Sequence, residues 1–406
     1  MIADKMKVMI QNSSAIRAMF EEGKKLAAKY GAENVYDFSL GNPNVPAPVQ
    51  VKEAIIEELE NDDPVMLHGY MSNSGYEDVR KAVADSLNKR FGTVFHEDNI
   101  VMTVGAAGGL NVALKSLLNP GDEVLVIAPY FGEYNSYVAN YDGVVVVVSP
   151  DTETFQPNLT EMEEKITQKT KAVIINSPNN PTGVVYSEKT IVAMADLLRR
   201  KQKEFGTDIY LISDEPYREL AYDGVEVPYL TKYYENTIVG YSFSKSLSLP
   251  GERIGYLVIP DEAADAADIQ AAANVATRIL GYVNAPSLMQ RAVAKCLDAQ
   301  ADVPYYDRNR EALYSGLKNL GFSCIKPEGA FYLFPKCSSF FGKSAGDRKI
   351  ENSDDLAMYL LEDAHVACVG GTSFGAPECI RMSYATSDEN IVEAIRRIKE
   401  ALAKLK

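Results

Sequence analysis

The strongest constraint in this 406-residue sequence lies between residues 99 and 260. Short apolar runs recur there: NIVMTVG (99–105), DEVLVIAPY (122–130), GVVVVVSP (143–150), KAVIINSP (171–178), DIYLISDEP (208–216), NTIVGYSFS (236–244) and GYLVIP (255–260). They are rich in β-branched and aliphatic residues and show no polar alternation, the pattern of strands buried on both faces. Val144–Val148 reads as one of these buried strands. Helical stretches lie between the runs, from 105 to about 118 and near 187–203. Alternation of this kind predicts an α/β architecture with a mostly parallel sheet.

The flanks read differently. Residues 14–30 predict an amphipathic helix ending at Gly31, SLGNPNVPAP (39–48) an extended loop, and 49–60 and 76–91 two helices. Beyond 260 the pattern gives helices at 261–276, 285–298 and 304–320, short strands near 322–326 and 330–335, a helix near 353–363, a strand near 378–384 and a terminal helix near 387–405. That is an α+β pattern and predicts a second, smaller domain. No Ser- or Gly-rich linker marks the boundary, which points to a long helix as the connection.

Composition narrows the partners. The chain has 41 Lys+Arg against 56 Asp+Glu, a formal net charge of −15. That balance repels polyanions, so neither nucleic acid nor an anionic membrane is expected as the main partner. There is no apolar stretch long enough to span a bilayer and no signal-peptide pattern, and a cytoplasmic location is expected. Five cysteines, an odd number without a CxxC, read as reduced thiols. His68, His96 and His365 are too scattered to suggest a metal site.

Ligands of open α/β sheets bind beyond the carboxyl ends of the strands, so the residues after each run matter most. Gly105-Ala106-Ala107-Gly108-Gly109 opens a helix after the first run. Small residues there serve either a phosphate at a helix N-terminus or close helix–sheet packing. Tyr130 and Phe131 follow the second run and suit either a stacked planar ligand or the core. Asn180 lies in SPNNPTG (177–183), a tight turn whose amides are available to a ligand oxygen. Asp214, in SDEPY (213–217), needs a partner if buried; a protonated ring nitrogen is one, and a helix N-cap is the simpler role. Tyr217 follows three residues on. Lys245 sits among small hydroxyl residues in SFSKSLSLPGERIG (242–255), as an imine-forming amine or a loop lysine. Arg253 can fork onto a phosphate. Together these residues fit pyridoxal phosphate, which needs a lysine imine, an acid for its ring nitrogen and an anion pocket.

The order NNPTG, SDEPY, SFSK and the whole stretch from Ser242 to Gly255 resemble the class I/II aminotransferases, fold-type I pyridoxal-phosphate enzymes, with aspartate-aminotransferase-like features. The likeness runs from SLGNPN at 39 to RMSYA at 381–385. It implies a large domain (46–295) with a seven-stranded, mostly parallel sheet, and a smaller α+β domain built from both termini (1–45 and 296–406). By residue, it implies Lys245 as the internal aldimine lysine and proton carrier, and Asp214 as partner of the pyridinium nitrogen, supported by Tyr134. Asn180 and Tyr217 would bond the cofactor's ring oxygen; Ser242, Arg253 and the backbone of Ala106 and Ala107 would hold its phosphate; Phe131 would stack on the ring, with Tyr130 as rival. Tyr70, in HGYMSNSGYEDVR, would reach the phosphate of a neighbouring subunit, which implies a homodimer with shared sites. Arg381 would clamp the substrate α-carboxylate under the loop containing Gly41.

The implied reaction is ping-pong transfer of an amino group from an L-amino acid, aspartate or a broader range, to a 2-oxo acid such as 2-oxoglutarate. A β-eliminating lyase on the same cofactor is the alternative. Two departures stand out. Val369-Gly370-Gly371-Thr372-Ser373-Phe374-Gly375 lacks the family's proline, and no arginine is assignable to a substrate side-chain carboxylate; Arg278 reads as a surface or interface residue.

Overall fold

The apolar runs form one seven-stranded sheet in the computed structural model, which describes residues 2–11 and 15–406. Its strands are β1 (Ile100–Thr103), β2 (Glu123–Ile127), β3 (Val144–Val148), β4 (Thr170–Asn176), β5 (Tyr210–Asp214), β6 (Thr237–Ser242) and β7 (Gly255–Val258). Their order across the sheet is β1-β7-β6-β5-β4-β2-β3. β7 is antiparallel to both neighbours, and the other pairings are parallel. β5 and β6 are buried at every position, as their unbroken apolar composition requires.

The valine run is a strand but not a buried one. Among the described residues β3 pairs only with β2, at the sheet's edge, and Val144 and Val147 are 49% and 36% exposed. A run of valines favours extended backbone wherever it lies, so composition alone does not separate an edge from a centre.

Helices cover both faces of the sheet. Gly105–Leu117 packs against β6 and β7, and Glu188–Phe205 closes the other side through Ile191, Met194 and Leu198. The predicted helices at 49–60 and 76–91 appear as Val49–Asn61 and Glu77–Phe91, the latter ending on left-handed Gly92. The predicted 14–30 helix runs Ala15–Tyr30; residue 14 lies outside the described residues.

A separate core gathers both ends of the chain. Met19 and Phe38 pack with Tyr306, Leu313, Phe331, Leu356, Tyr384 and Ile398. Tyr36–Asp37 pairs in parallel with Val366–Ala367, which ties the N-terminal segment to the C-terminal part. The three-stranded sheet here is β9-β10-β8, made of β8 (Tyr332–Leu333), β9 (Val369–Gly370) and β10 (Ile380–Ser383). The strand expected near 322–326 reduces to one bridge between Ser323 and Lys336, because Pro327 soon removes an N–H from any ladder. The predicted helices at 285–298 and 304–320 appear as Ser287–Ala294 and Val303–Asn319, and the second buries Tyr306, Leu313 and Leu317 in the C-terminal core.

Candidate active site

Sheet register carries the first group of functional side chains. Asn176 and Asp214 are direct neighbours at the ends of β4 and β5, and Ser242 ends β6 opposite Gly255. A cavity of about 290 Å³ opens at this edge. Gly41, Ala106, Ala107, Phe131, Asn180, Asp214, Tyr217, Ser242, Lys245, Arg253 and Arg381 all line it; of the residues singled out in the sequence, Tyr70, Tyr130, Tyr134 and Arg278 do not.

Asp214 ends its strand and caps no helix. The Tyr134 hydroxyl donates to its Oδ2 at 2.6 Å, while Oδ1 is buried without a partner among the described residues. Burial raises its pKa to about 7, against the lowering effect of the Tyr134 bond and with a further push from Glu215. The Asn176 amide bonds the Asp214 carbonyl at 2.7 Å, and its Oδ1 accepts from the Asn180 backbone N–H at 2.6 Å. Sequence reading passed over Asn176, although its place at the end of the KAVIIN run was the signal.

Lys245 lies in a one-turn helix, Phe243–Ser246, capped by Ser242, whose Oγ accepts from the Ser244 N–H. Its Nζ donates to the Gly41 carbonyl at 2.6 Å. Burial lowers its pKa to about 7, helped by the Arg253 and Arg381 charges. An amine so placed is a nucleophile and a base near neutral pH.

The Gly105–Leu117 helix points its N-terminus into the same cavity. Gly105 has φ +77°, and a Cβ there would meet Arg253 Nη2 at 2.7 Å. Gly109 lies close to Leu257, where a Cβ would come within 3.2 Å of Cδ2. The small residues therefore let the helix pack on the sheet, while Ala106 and Ala107 face the cavity. Phe131 lines the cavity; Tyr130 does not, and its hydroxyl bonds the Asn135 side chain instead.

The C-terminal core supplies the other wall. Arg381 on β10 is fully buried; Nη1 donates to Asn180 Oδ1 at 2.9 Å and Nη2 to the Ser39 carbonyl, while Nε has no partner among the described residues. Tyr332 and Phe374 place their rings against its guanidinium, and neither was singled out in the sequence. Without the family's proline, the segment before Phe374 forms a short 3-10 turn, Gly371–Phe374.

Tyr70 and Arg278 lie elsewhere. Tyr70 is 94% exposed, and Arg278 sits on an exposed face of the Ala266–Ile279 helix. Neither lines this chain's cavity.

The profile of the family described as aminotransferase class I and II matches residues 33–398. This chain is a class I/II aminotransferase. A probable aspartate/prephenate aminotransferase of Aquifex aeolicus is 34% identical over 95% of this chain and 94% of its own length. An aspartate aminotransferase of Pyrococcus horikoshii is 32% identical over 98% and 96%. Among solved structures, an aminotransferase from Eubacterium rectale has a TM-score of 0.93 and 46% identity, covering 100% of this chain and 99% of that one. The aspartate aminotransferase of Thermus thermophilus with maleate has a TM-score of 0.85 and 30% identity, covering 99% of both chains. The aminotransferase cavity combines an amine, an acid, a guanidinium and a helix N-terminus, a set able to bind an anion at one end and a carboxylate at the other.

Proposed function

We propose that this aminotransferase works with pyridoxal 5'-phosphate and moves an amino group from an L-amino acid, aspartate or a wider range, to a 2-oxo acid such as 2-oxoglutarate in ping-pong fashion. The observation that carries the reading is that Lys245 and Asp214 face one cavity with pKa values both near 7. The donor set fits the cofactor. The partnerless Oδ1 of Asp214 suits a protonated ring nitrogen, and the Gly105 helix N-terminus with Arg253 and Ser242 suits a phosphate. When bound, the cofactor supplies a carbonyl that captures amines and a ring that takes up electrons from the substrate Cα.

The chain's own residues do the rest. Lys245 Nζ, neutral for much of the time near pH 7, takes and returns the proton of the substrate Cα. Asp214, held by Tyr134, would keep a positive charge on the ring nitrogen of the bound cofactor. Asn180, Tyr217 and Phe131 line the cavity; with the cofactor bound, Asn180 and Tyr217 would donate to its ring oxygen and Phe131 would stack on its ring. Ser242, Arg253 and the N–H groups of Ala106 and Ala107, which line the cavity, would hold the phosphate. Arg381, steadied by Asn180 and the Ser39 carbonyl, would bind the α-carboxylate. The aspartate preference rests on the names of the relatives.

The exposed Tyr70, a few residues along the chain from exposed Val65 and Met66, suits a homodimer in which Tyr70 completes the partner's phosphate site. The two core groups suit a large domain (46–295) and a small one (1–45 with 296–406). Five free thiols suit a cytoplasmic enzyme. No helix among the described residues is long and apolar enough to cross a membrane. Incubating the enzyme with pyridoxal phosphate, L-aspartate and 2-oxoglutarate tests the reading. Oxaloacetate and glutamate in equal amounts are expected, and ammonia released without an acceptor would contradict it.

A further inference from the structure

Tyr332 touches site groups that arrive from distant parts of the chain. Its hydroxyl lies 3.0 Å from that of Tyr217. The Arg381 guanidinium sits 4.5 Å from its ring centroid, with the Phe374 ring 5.0 Å away. Gly41 lies so near that a Cβ there would meet Tyr332 Oη at 1.7 Å, and the Gly41 carbonyl is the one that accepts from Lys245. Register explains the meeting: Tyr332 on β8 opposes Ser383 on β10, and Arg381 is two residues before Ser383, on the same face. Packing alone calls for a ring here; a hydroxyl calls for a partner, and Tyr217 is that partner.

We infer that Tyr332 is a positioning residue whose ring fixes the Arg381 guanidinium for a substrate carboxylate, and whose hydroxyl, donating to Tyr217, turns the Tyr217 proton toward the cavity. The inference rests on the reading that pyridoxal phosphate occupies this cavity. A phenol that accepts a hydrogen bond is itself a stronger donor. Tyr217 then donates more strongly to the cofactor's ring oxygen and favours its ionised form. Without the Tyr332 hydroxyl, that oxygen holds the neighbouring proton more tightly.

Ring and hydroxyl separate in the holoenzyme. Tyr332→Phe keeps the ring; Tyr332→Leu removes both. The readouts are the pH midpoint of the lysine-bound cofactor's absorbance band without substrate, and the Kd of propionate read from that band. Tyr332→Phe is expected to raise the midpoint by ~0.5 unit or more, with propionate affinity within about twofold of wild type. Tyr332→Leu is expected to weaken propionate by about tenfold or more. An unmoved midpoint in Tyr332→Phe, or unchanged propionate binding in Tyr332→Leu, overturns the inference. If the Leu variant does not fold, the Phe variant still decides. A wild-type protein without a lysine-dependent band would strike the cofactor reading instead, which keeps the two failures apart.

Discussion

Asp214 and Lys245 are held where burial works against their charges, and the signs differ. Asp214 titrates at about 7 when folded, far above the ordinary carboxylate value of 3.8. Between those values the native state keeps a proton that the unfolded chain has released, so this group's contribution to stability falls as pH rises through that window. Lys245 titrates at about 7 against 10.5, so between these values the unfolded chain holds the extra proton and its contribution rises with pH. In cofactor-free protein, Asp214→Asn is therefore expected to stabilise more at pH 8 than at pH 5, by about 2–4 kcal/mol at most. Thermal or urea melts at the two pH values check this, and a pH-independent difference would contradict it. Arg381→Lys keeps a charge and loses the fork. It is expected to lower kcat/KM by about 100-fold, near 2.7 kcal/mol, chiefly through KM. Steady-state kinetics at several amino-acid concentrations separate this from a fall in kcat alone.

Residues that carry the polar chemistry were legible because they break apolar runs at the point where a ligand site belongs. Asp214, Lys245 and Asn180 each stand out against the strand before them. Tyr332 was not legible. It lies inside AFYLF, which reads as core strand, and its hydroxyl partner is 115 residues away. Phe374 is hidden in the same way, since a ring against a guanidinium leaves no spacing pattern.

At the scale of elements, the strands announce themselves by composition, while their order does not. The ladder places β7 between β1 and β6, against chain order, and puts β3 at the rim. This has a measurable consequence. Val144→Thr at the exposed edge is expected to change stability by no more than about 0.5 kcal/mol, whereas Val173→Thr, fully buried in β4, is expected to cost about 1–3 kcal/mol. Gly255→Ala belongs to the same scale. A Cβ at Gly255 would meet the Tyr241 carbonyl at 2.3 Å, inside the β6–β7 ladder that carries Ser242. A loss of at least about 2 kcal/mol is expected from urea melts.

The whole molecule sets the cavity between two cores. Asp214 and Ser242 end sheet strands and Lys245 follows in the next helical turn; Arg381 and Tyr332 come from the part shared by the chain ends, and Tyr217 packs with Tyr332 in that core. The α+β character of the last third was legible from its helix and strand pattern. The part played by Phe38 and Met19 in that core was not legible from periodicity, because they join it across more than 250 residues of chain. Assembly follows at this scale. Sedimentation is expected to give twice the chain mass, and Val65→Asp with Met66→Asp is expected to halve it and to weaken cofactor retention.

The most direct measurement is the absorbance spectrum of the protein supplied with pyridoxal phosphate, before and after L-aspartate, beside Lys245→Ala. A cofactor band that requires Lys245 and shifts to shorter wavelength with the amino acid, without release of ammonia, is the predicted result. A wild-type spectrum indistinguishable from that of Lys245→Ala would contradict the account.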